Sequence, residues 1–369
     1  MKVYLDNNHK TMTDPQVLEV ATPFWTEHYS SHDAVYQHAK DARVAYSQAL
    51  EKIYASIHAP KESQIAITSG ADESNTRLLN SIYLNKILTG QKNHIIISQR
   101  ESRAMMEVIE QISAQGTHIS ILPIDSNGIV DVELLKSTIT PKTALVSVSM
   151  VDRESGAVMP IDEMISICRD NGVPIHTDAT QAMGKAHMDV QMLDVDYLTL
   201  SAEVIHGIPG TGVLYIKDTN DLPNLIQTTN NIAGVVALGK ALEQAIDAEA
   251  FEMEDARELR DELEEAIREI DGHQILVPWT YRAPHTIMVG FDGIAGDMLL
   301  WELGKAGIYG YTEDGRELVD AMEIEPKYRH TLVGFALSRY TTKEEIDYTI
   351  AKLKEAVEKI RTDIKGESK

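Results

Sequence analysis

The sequence predicts an α/β protein with a mostly parallel central sheet covered by helices, accompanied by a smaller α+β unit. Three observations lead there. Short β-branched runs alternate with helix-length amphipathic segments through the first two-thirds of the chain. The apolar fraction, 43% of 369 residues, is enough to fill an ordinary core. After Ala233 the pattern changes to charged helices with narrow apolar stripes and two further strands.

Residues 64–68, 94–98, 118–122, 144–150, 173–177, 197–200 and 212–216 read as buried strands. Between them, residues 162–171 with Gly172 behind them have the periodicity and terminal glycine of a crossover helix. Met253, Ala256, Leu259, Leu263, Ile267 and Ile270 recur every three to four residues, the core-facing stripe of one long helix. Residues 286–291 and 331–337 predict strands, residues 296–307 a helix, and a last helix starts near Lys343, with the tail 365–369 expected to fray. The division implied is a large domain over 14–245 and a small one made of 1–13 and 246–369.

A formal net charge of −23 disfavours nucleic acid and anionic lipid, both of which need basic patches. The apolar runs are strand-length, and Val3-Tyr4-Leu5 follows the start directly, so neither a membrane span nor a secretory leader is expected and the cytoplasm is the default compartment. The single cysteine, Cys168, excludes an internal disulfide and cannot build a thiolate metal site alone; its apolar helical neighbours point to a buried, inert thiol.

Several segments, collinear over nearly the whole length, resemble the cysteine desulfurases, pyridoxal-phosphate enzymes of the class V aminotransferase type with the fold-type I transferase architecture. They are Val3-Tyr4-Leu5-Asp6-Asn7-Asn8 with Asp14-Pro15; Thr68-Ser69-Gly70-Ala71 with Glu73-Ser74-Asn75; and Asp125-Ser126-Asn127-Gly128 with Asp131. They continue with His176-Thr177-Asp178-Ala179, Gln181, Gly184 and Lys185; Ser201-Ala202 leading into Gly207, Gly210 and Gly212; and Thr341-Thr342-Lys343-Glu344-Glu345-Ile346-Asp347.

The same resemblance implies chemistry that the residues here do not supply. The family's Schiff-base lysine follows a Ser-x-His stretch, and this chain reads Ser201-Ala202-Glu203-Val204 there: Val204 offers no amine and Glu203 stands for the histidine. Neither Lys185 nor Lys217 is offset from position 204 by only a residue or two. The phosphate turn Gly70-Ala71 is followed by Asp72 instead of threonine, which reads structurally as a helix N-cap. Towards a dianionic phosphate it is hostile, since at about 4 Å and an effective dielectric near 20 each unit pair costs roughly 4 kcal/mol.

Ser102 takes the place of the ring-stacking histidine after Glu101, Arg153 the place of a ring-contacting amide in Asp152-Arg153-Glu154, and Gly334 the place of the arginine implied to hold the substrate carboxylate. The loop region Gly310-Tyr311-Thr312-Glu313-Asp314-Gly315 has no cysteine nucleophile. Asp178 and Gln181 match the implied partners of the pyridine nitrogen and ring hydroxyl, and Thr229 the residue implied to reach across a dimer interface.

The expectation is a catalytically inactive cysteine-desulfurase-like protein, a scaffold or regulatory partner in sulfur or iron–sulfur metabolism. It would form a homodimer and meet a sulfur acceptor or iron–sulfur scaffold protein. No resident cofactor is expected, and pyridoxal phosphate only as a weak non-covalent ligand. One alternative is an active enzyme with non-covalent cofactor or partner-supplied residues. Another is a repurposed pocket in which Asp72, Glu101, Arg153, His176, Asp178, Glu203 and His206 converge on a cation or other small molecule, against the simpler outcome that Arg153 neutralises its acidic neighbours.

Overall fold

The computed structural model describes residues 1–218, 222, 229–312 and 316–367, with the side chains of 251–253, 316–317 and 365–367 outside the description. The side chain of Met253, the loop residues Glu313, Asp314 and Gly315, and the end of the tail at 368–369 therefore lie outside the described residues.

In chain order the strands are β1 (Val3–Tyr4), β2 (Gln64–Thr68), β3 (His94–Ser98), β4 (His118–Leu122), β5 (Thr143–Ser149), β6 (Ile175–Asp178), β7 (Tyr197–Ser201), β8 (Gly212–Ile216), β9 (His273–Ile275), β10 (Thr286–Phe291), β11 (Ile308–Tyr309) and β12 (Leu332–Ala336). Seven form one sheet in the order β2-β8-β7-β6-β5-β3-β4. β4, β3, β5, β6 and β7 run parallel, and β8 is antiparallel to both neighbours. Strands covered on both faces need no alternation, and Ile95, Ile96 and Ile97 are all fully buried. One core on each sheet face results: Val146, Val148 and Leu198 on one, Ile95, Leu145 and Leu214 on the other.

The second unit is an antiparallel sheet, β12-β10-β9, with the parallel pair β1–β11 beside it. Its core contains Leu263, Phe291, Leu299 and Phe335. The N-terminal segment belongs here spatially: Leu5 donates to Tyr309 O (2.7 Å) and accepts from Ala336 N (2.7 Å). That anchoring brings Asn7 and Asn8 to the edge where the two units meet.

Helix Ile232–Arg268 spans 37 residues and runs through residue 245 without a break. Leu238 and Leu242 pack in the large-unit core, whereas Leu263 and Ile267 pack in the small one. A rigid helix thus joins both cores. The final helix, Lys343–Glu367, continues through most of the tail expected to fray. Strand β6 starts at Ile175 rather than at Val173, and the carbonyl of Pro174, a residue without an N–H, accepts from Val146 N at 3.0 Å. Among the described residues no helix is long and apolar enough to cross a membrane.

Candidate active site

Parallel strands present their carboxyl ends along one edge, the usual place for a ligand in such sheets. Here β3 delivers Glu101 and Ser102, β5 delivers Asp152 to Glu154, β6 ends on Asp178, and β7 ends on Ser201 before the 3-10 turn Ala202–Val204. The turn Gly70-Ala71 joins them from β2. Gly70 takes φ 147°, and a Cβ there would sit 3.5 Å from Ser201 Oγ, so Ser201 closes over the turn.

Asp178 is buried and fully engaged. Its Oδ2 accepts from Asn75 Nδ2 at 2.8 Å and its Oδ1 from Thr180 N at 3.0 Å. Burial raises its pKa, with the charge of Asp72 adding to the effect. Gln181 donates to Asn8 O at 2.7 Å. His176 is a core imidazole: it lies between Ser147 Oγ (2.8 Å) and Thr199 Oγ1 (3.0 Å), and burial depresses its pKa to about 3. It is neutral at physiological pH and turned to the strands on either side.

Asp72 does not cap its helix. The N-cap of Ala71–Ile82 is Gly70, whose side chain has nothing to offer, and Glu73 instead reaches back to Ser69 N at 2.6 Å. Asp72 is left exposed in the first turn, where only the helix dipole favours it. Glu203 has a raised pKa, chiefly from burial and then from Asp72, with Lys10 and Arg153 opposing. Its carbonyl accepts from both the backbone N and the hydroxyl of Thr11, each at 2.8 Å.

Val204 is 3% exposed and lines a cavity of about 10 Å³, room for roughly one water, together with Lys185, His206 and Arg339. His206 is committed elsewhere: at φ 61° its Nδ1 pairs with Met12 O at 2.9 Å, and burial lowers its pKa to about 4.

The carboxylate–imidazole pocket that the sequence left as an alternative lacks its two imidazoles. His176 and His206 are held by internal partners, and among the described residues no three His, Cys, Asp or Glu side chains assemble in a metal-holding group. Nor does Arg153 neutralise Asp72, Asp178 or Glu203 by direct pairing. Its side chain is 54% exposed and its ion pair, at 3.6 Å, is with Glu154. The guanidinium that pairs with the acids of this turn is that of Arg100, which no motif singles out; it is 10% exposed and pairs with Asp152 at 3.0 Å and with Glu154. Burial alone would raise the carboxyl of Asp152, but Arg100 and the Ser155 hydrogen bonds hold it below the usual range.

Ser102 is the N-cap of helix Arg103–Ala114, accepting from Met105 N at 3.2 Å. Glu101 beside it accepts from Ser98 Oγ (2.5 Å), Ser149 N (3.0 Å) and Ser149 Oγ (3.0 Å), yet burial still pushes its pKa up to about 7. The folded state therefore holds a proton that the unfolded chain releases. Stability from this group is full below pH 4.5 and is lost as pH rises through 7. Glu101→Gln mimics the protonated form permanently, so it should exceed the parent by about 2–3 kcal/mol at pH 8 and by less than about 1 kcal/mol at pH 5. Urea denaturation at the two pH values measures this; a gap independent of pH would contradict it.

Thr229 Oγ1 accepts from Asn231 N at 3.1 Å, and Asn231 caps helix Ile232–Arg268 through Gly234 N at 3.0 Å. Cys168 is fully buried on helix Ile161–Asp170, its thiol pushed up to about 12 by burial.

Residues 3–349 match the sequence profile of the class-V aminotransferases. The cysteine desulfurase IscS of Clostridium botulinum is 31% identical over 388 aligned positions, covering 98% of this chain and 95% of that protein. A cysteine desulfurase of Nostoc is 32% identical over 379 positions, covering 97% and 94%. Among solved structures, a NifS-like protein superposes with a TM-score of 0.92 at 28% identity, covering 97% of this chain and all of that one. A shared profile, full-length identity above 30% and a superposition at a TM-score of 0.92 leave one family, and this chain belongs to the cysteine desulfurases of the class-V aminotransferase fold.

Proposed function

We propose that this chain is a cysteine-desulfurase relative without desulfurase chemistry, a homodimeric scaffold or regulatory partner in sulfur or iron–sulfur metabolism that docks a sulfur acceptor or cluster-scaffold protein. The observation that carries the reading is Val204: where the resemblance implies an amine there is a buried aliphatic side chain, lining a cavity of about 10 Å³.

Pyridoxal phosphate does not suit the residues around it. The Gly70 turn that would hold a phosphate is flanked by Asp72 and Glu203, both of which would repel a dianion; burial first and then the charge of Asp72 already raise the Glu203 carboxyl. Ser102 is spent on capping a helix and offers no ring face. Both oxygens of Asp178 have protein partners, and its raised pKa weakens it as the partner of a cationic ring nitrogen. A homodimer is supported by apolar side chains left in water near the N-terminus, Trp25 at 51%, Tyr29 at 69% and Val35 at 97% exposure.

A second reading has one observation in its favour: Lys185 lines the same small cavity as Val204, so a displaced amine lies on the correct side of the pocket. In that case the protein is an active enzyme. The assay that separates the two is sulfide release from L-cysteine with added pyridoxal phosphate. The proposal expects the rate of a heat-killed control; sulfide above that rate, abolished by Lys185→Ala, establishes the second reading.

A further inference from the structure

Tyr311 and Gly334 face each other as a closed antiparallel pair, with Tyr311 N on Gly334 O at 3.0 Å and Gly334 N on Tyr311 O at 2.7 Å. The phenol ring lies directly over Gly334. A Cβ built on Gly334 would fall 2.7 Å from Cε1 of that ring and closer still to Cζ and Cε2. Gly334 sits within β12 and has no left-handed backbone angle, so conformation does not demand glycine there. What demands it is the ring.

The same ring reaches the junction of Asn8 and Glu154 beside the candidate site. Tyr311 is 5% exposed; its hydroxyl donates to Glu154 O at 2.7 Å and accepts from Asn8 Nδ2 at 3.4 Å. Asn8 also donates to Arg153 O at 2.8 Å and accepts from Gln181 Nε2 through its own carbonyl at 2.7 Å. One phenol thus bridges the small unit to the turn that Arg100 clamps, one residue removed from Gln181.

We propose that Tyr311 is an internal plug: a side chain of the chain itself that occupies the small-domain side of the pocket, seated on Gly334 and fastened to Glu154, so that a substrate carboxylate has neither room nor a partner there. The proposal rests on the reading that this pocket no longer processes an amino acid and adds how it is closed. It makes Tyr311 and Gly334 a matched pair, since any side chain at 334 requires the ring to leave. The orphaned volume after removal of the ring would be shaped for an aromatic alcohol.

The test is a thermal-unfolding cycle with p-cresol as probe. Gly334→Ala should lower the melting temperature by several degrees in the parent and much less in Tyr311→Ala, while Tyr311→Phe, which keeps the ring, should remain sensitive to Gly334→Ala. p-Cresol should raise the melting temperature of Tyr311→Ala saturably, leave the parent unchanged, and lose its effect when Gly334→Leu refills the space in Tyr311→Ala. Equal cost of Gly334→Ala in both backgrounds, or equal p-cresol stabilisation of parent and Tyr311→Ala, would overturn the plug. If Tyr311→Ala does not fold alone, its recovery by p-cresol during refolding supports the plug and failure to recover counts against it. Sulfide release by the parent would instead remove the proposed function and leave the packing cycle as measured.

Discussion

Val204→Lys is expected to give a colourless protein, inactive with added pyridoxal phosphate and less stable than the parent by about 2–4 kcal/mol. The residue is 3% exposed, and the cavity it lines is about 10 Å³. Extending the side chain by an ammonium on a four-carbon stem overpacks that space. The neighbours make matters worse, because the cavity is shared with Lys185 and Arg339, two more cations. Neither Glu203 nor Asp72 lines this cavity, so like-charge repulsion is the larger effect. Urea denaturation together with an absorption spectrum measures both halves. Parent-like stability and a visible band on cofactor addition would show that position 204 still opens onto a working pocket.

Arg100→Ala should be the most damaging single truncation in the site, costing about 3–5 kcal/mol, because it leaves Asp152 and Glu154 charged without their shared partner. Asp152 is buried, 4% exposed at its side chain, and Glu154 is 18% exposed, so water can replace little of the lost interaction. The damage should spread: the 152–156 turn fixes Glu154 O, the acceptor for the Tyr311 phenol. Arg100→Lys keeps the charge but not the fork that reaches two carboxylates, and should recover only part of the loss. Chemical denaturation of the three proteins tests this. A loss under about 1 kcal/mol for Arg100→Ala would mean that the pair behaves like a surface salt bridge.

The seven strands of the large sheet were legible from their short apolar runs, as in Ile95-Ile96-Ile97, although β4, expected to be buried, is an edge strand with Ile121 49% exposed. β1, β9 and β11 were not, since two or three residues carry no period. The site was legible where a motif names a residue: Asp178 and Gln181 lie beside the Gly70 turn, and Val204 follows Ser201 on β7. It was illegible where charge partners are chosen in three dimensions. Arg153 was weighed as the cation that neutralises its acidic neighbours, yet the guanidinium that pairs with Asp152 and Glu154 in the interior is that of Arg100, which directly precedes Glu101-Ser102 and has no motif role of its own. Asp72 was expected to cap its helix because aspartate does so well, but the Gly70 turn sets the helix start two residues earlier and Glu73 provides the reach-back contact. Tyr311 lay in a loop noted only for its missing cysteine; the signal available was the glycine opposite it at 334.

If this desulfurase fold no longer grips the cofactor, spectrophotometric titration of the purified protein with pyridoxal phosphate should reveal it. Absorbance should rise as the free cofactor alone would, with no saturable change, because Val204 supplies no amine while Asp72 and Glu203 repel the phosphate. A saturable visible band with a dissociation constant in the low micromolar range, with Asp72, Glu203 and Val204 intact, would contradict it.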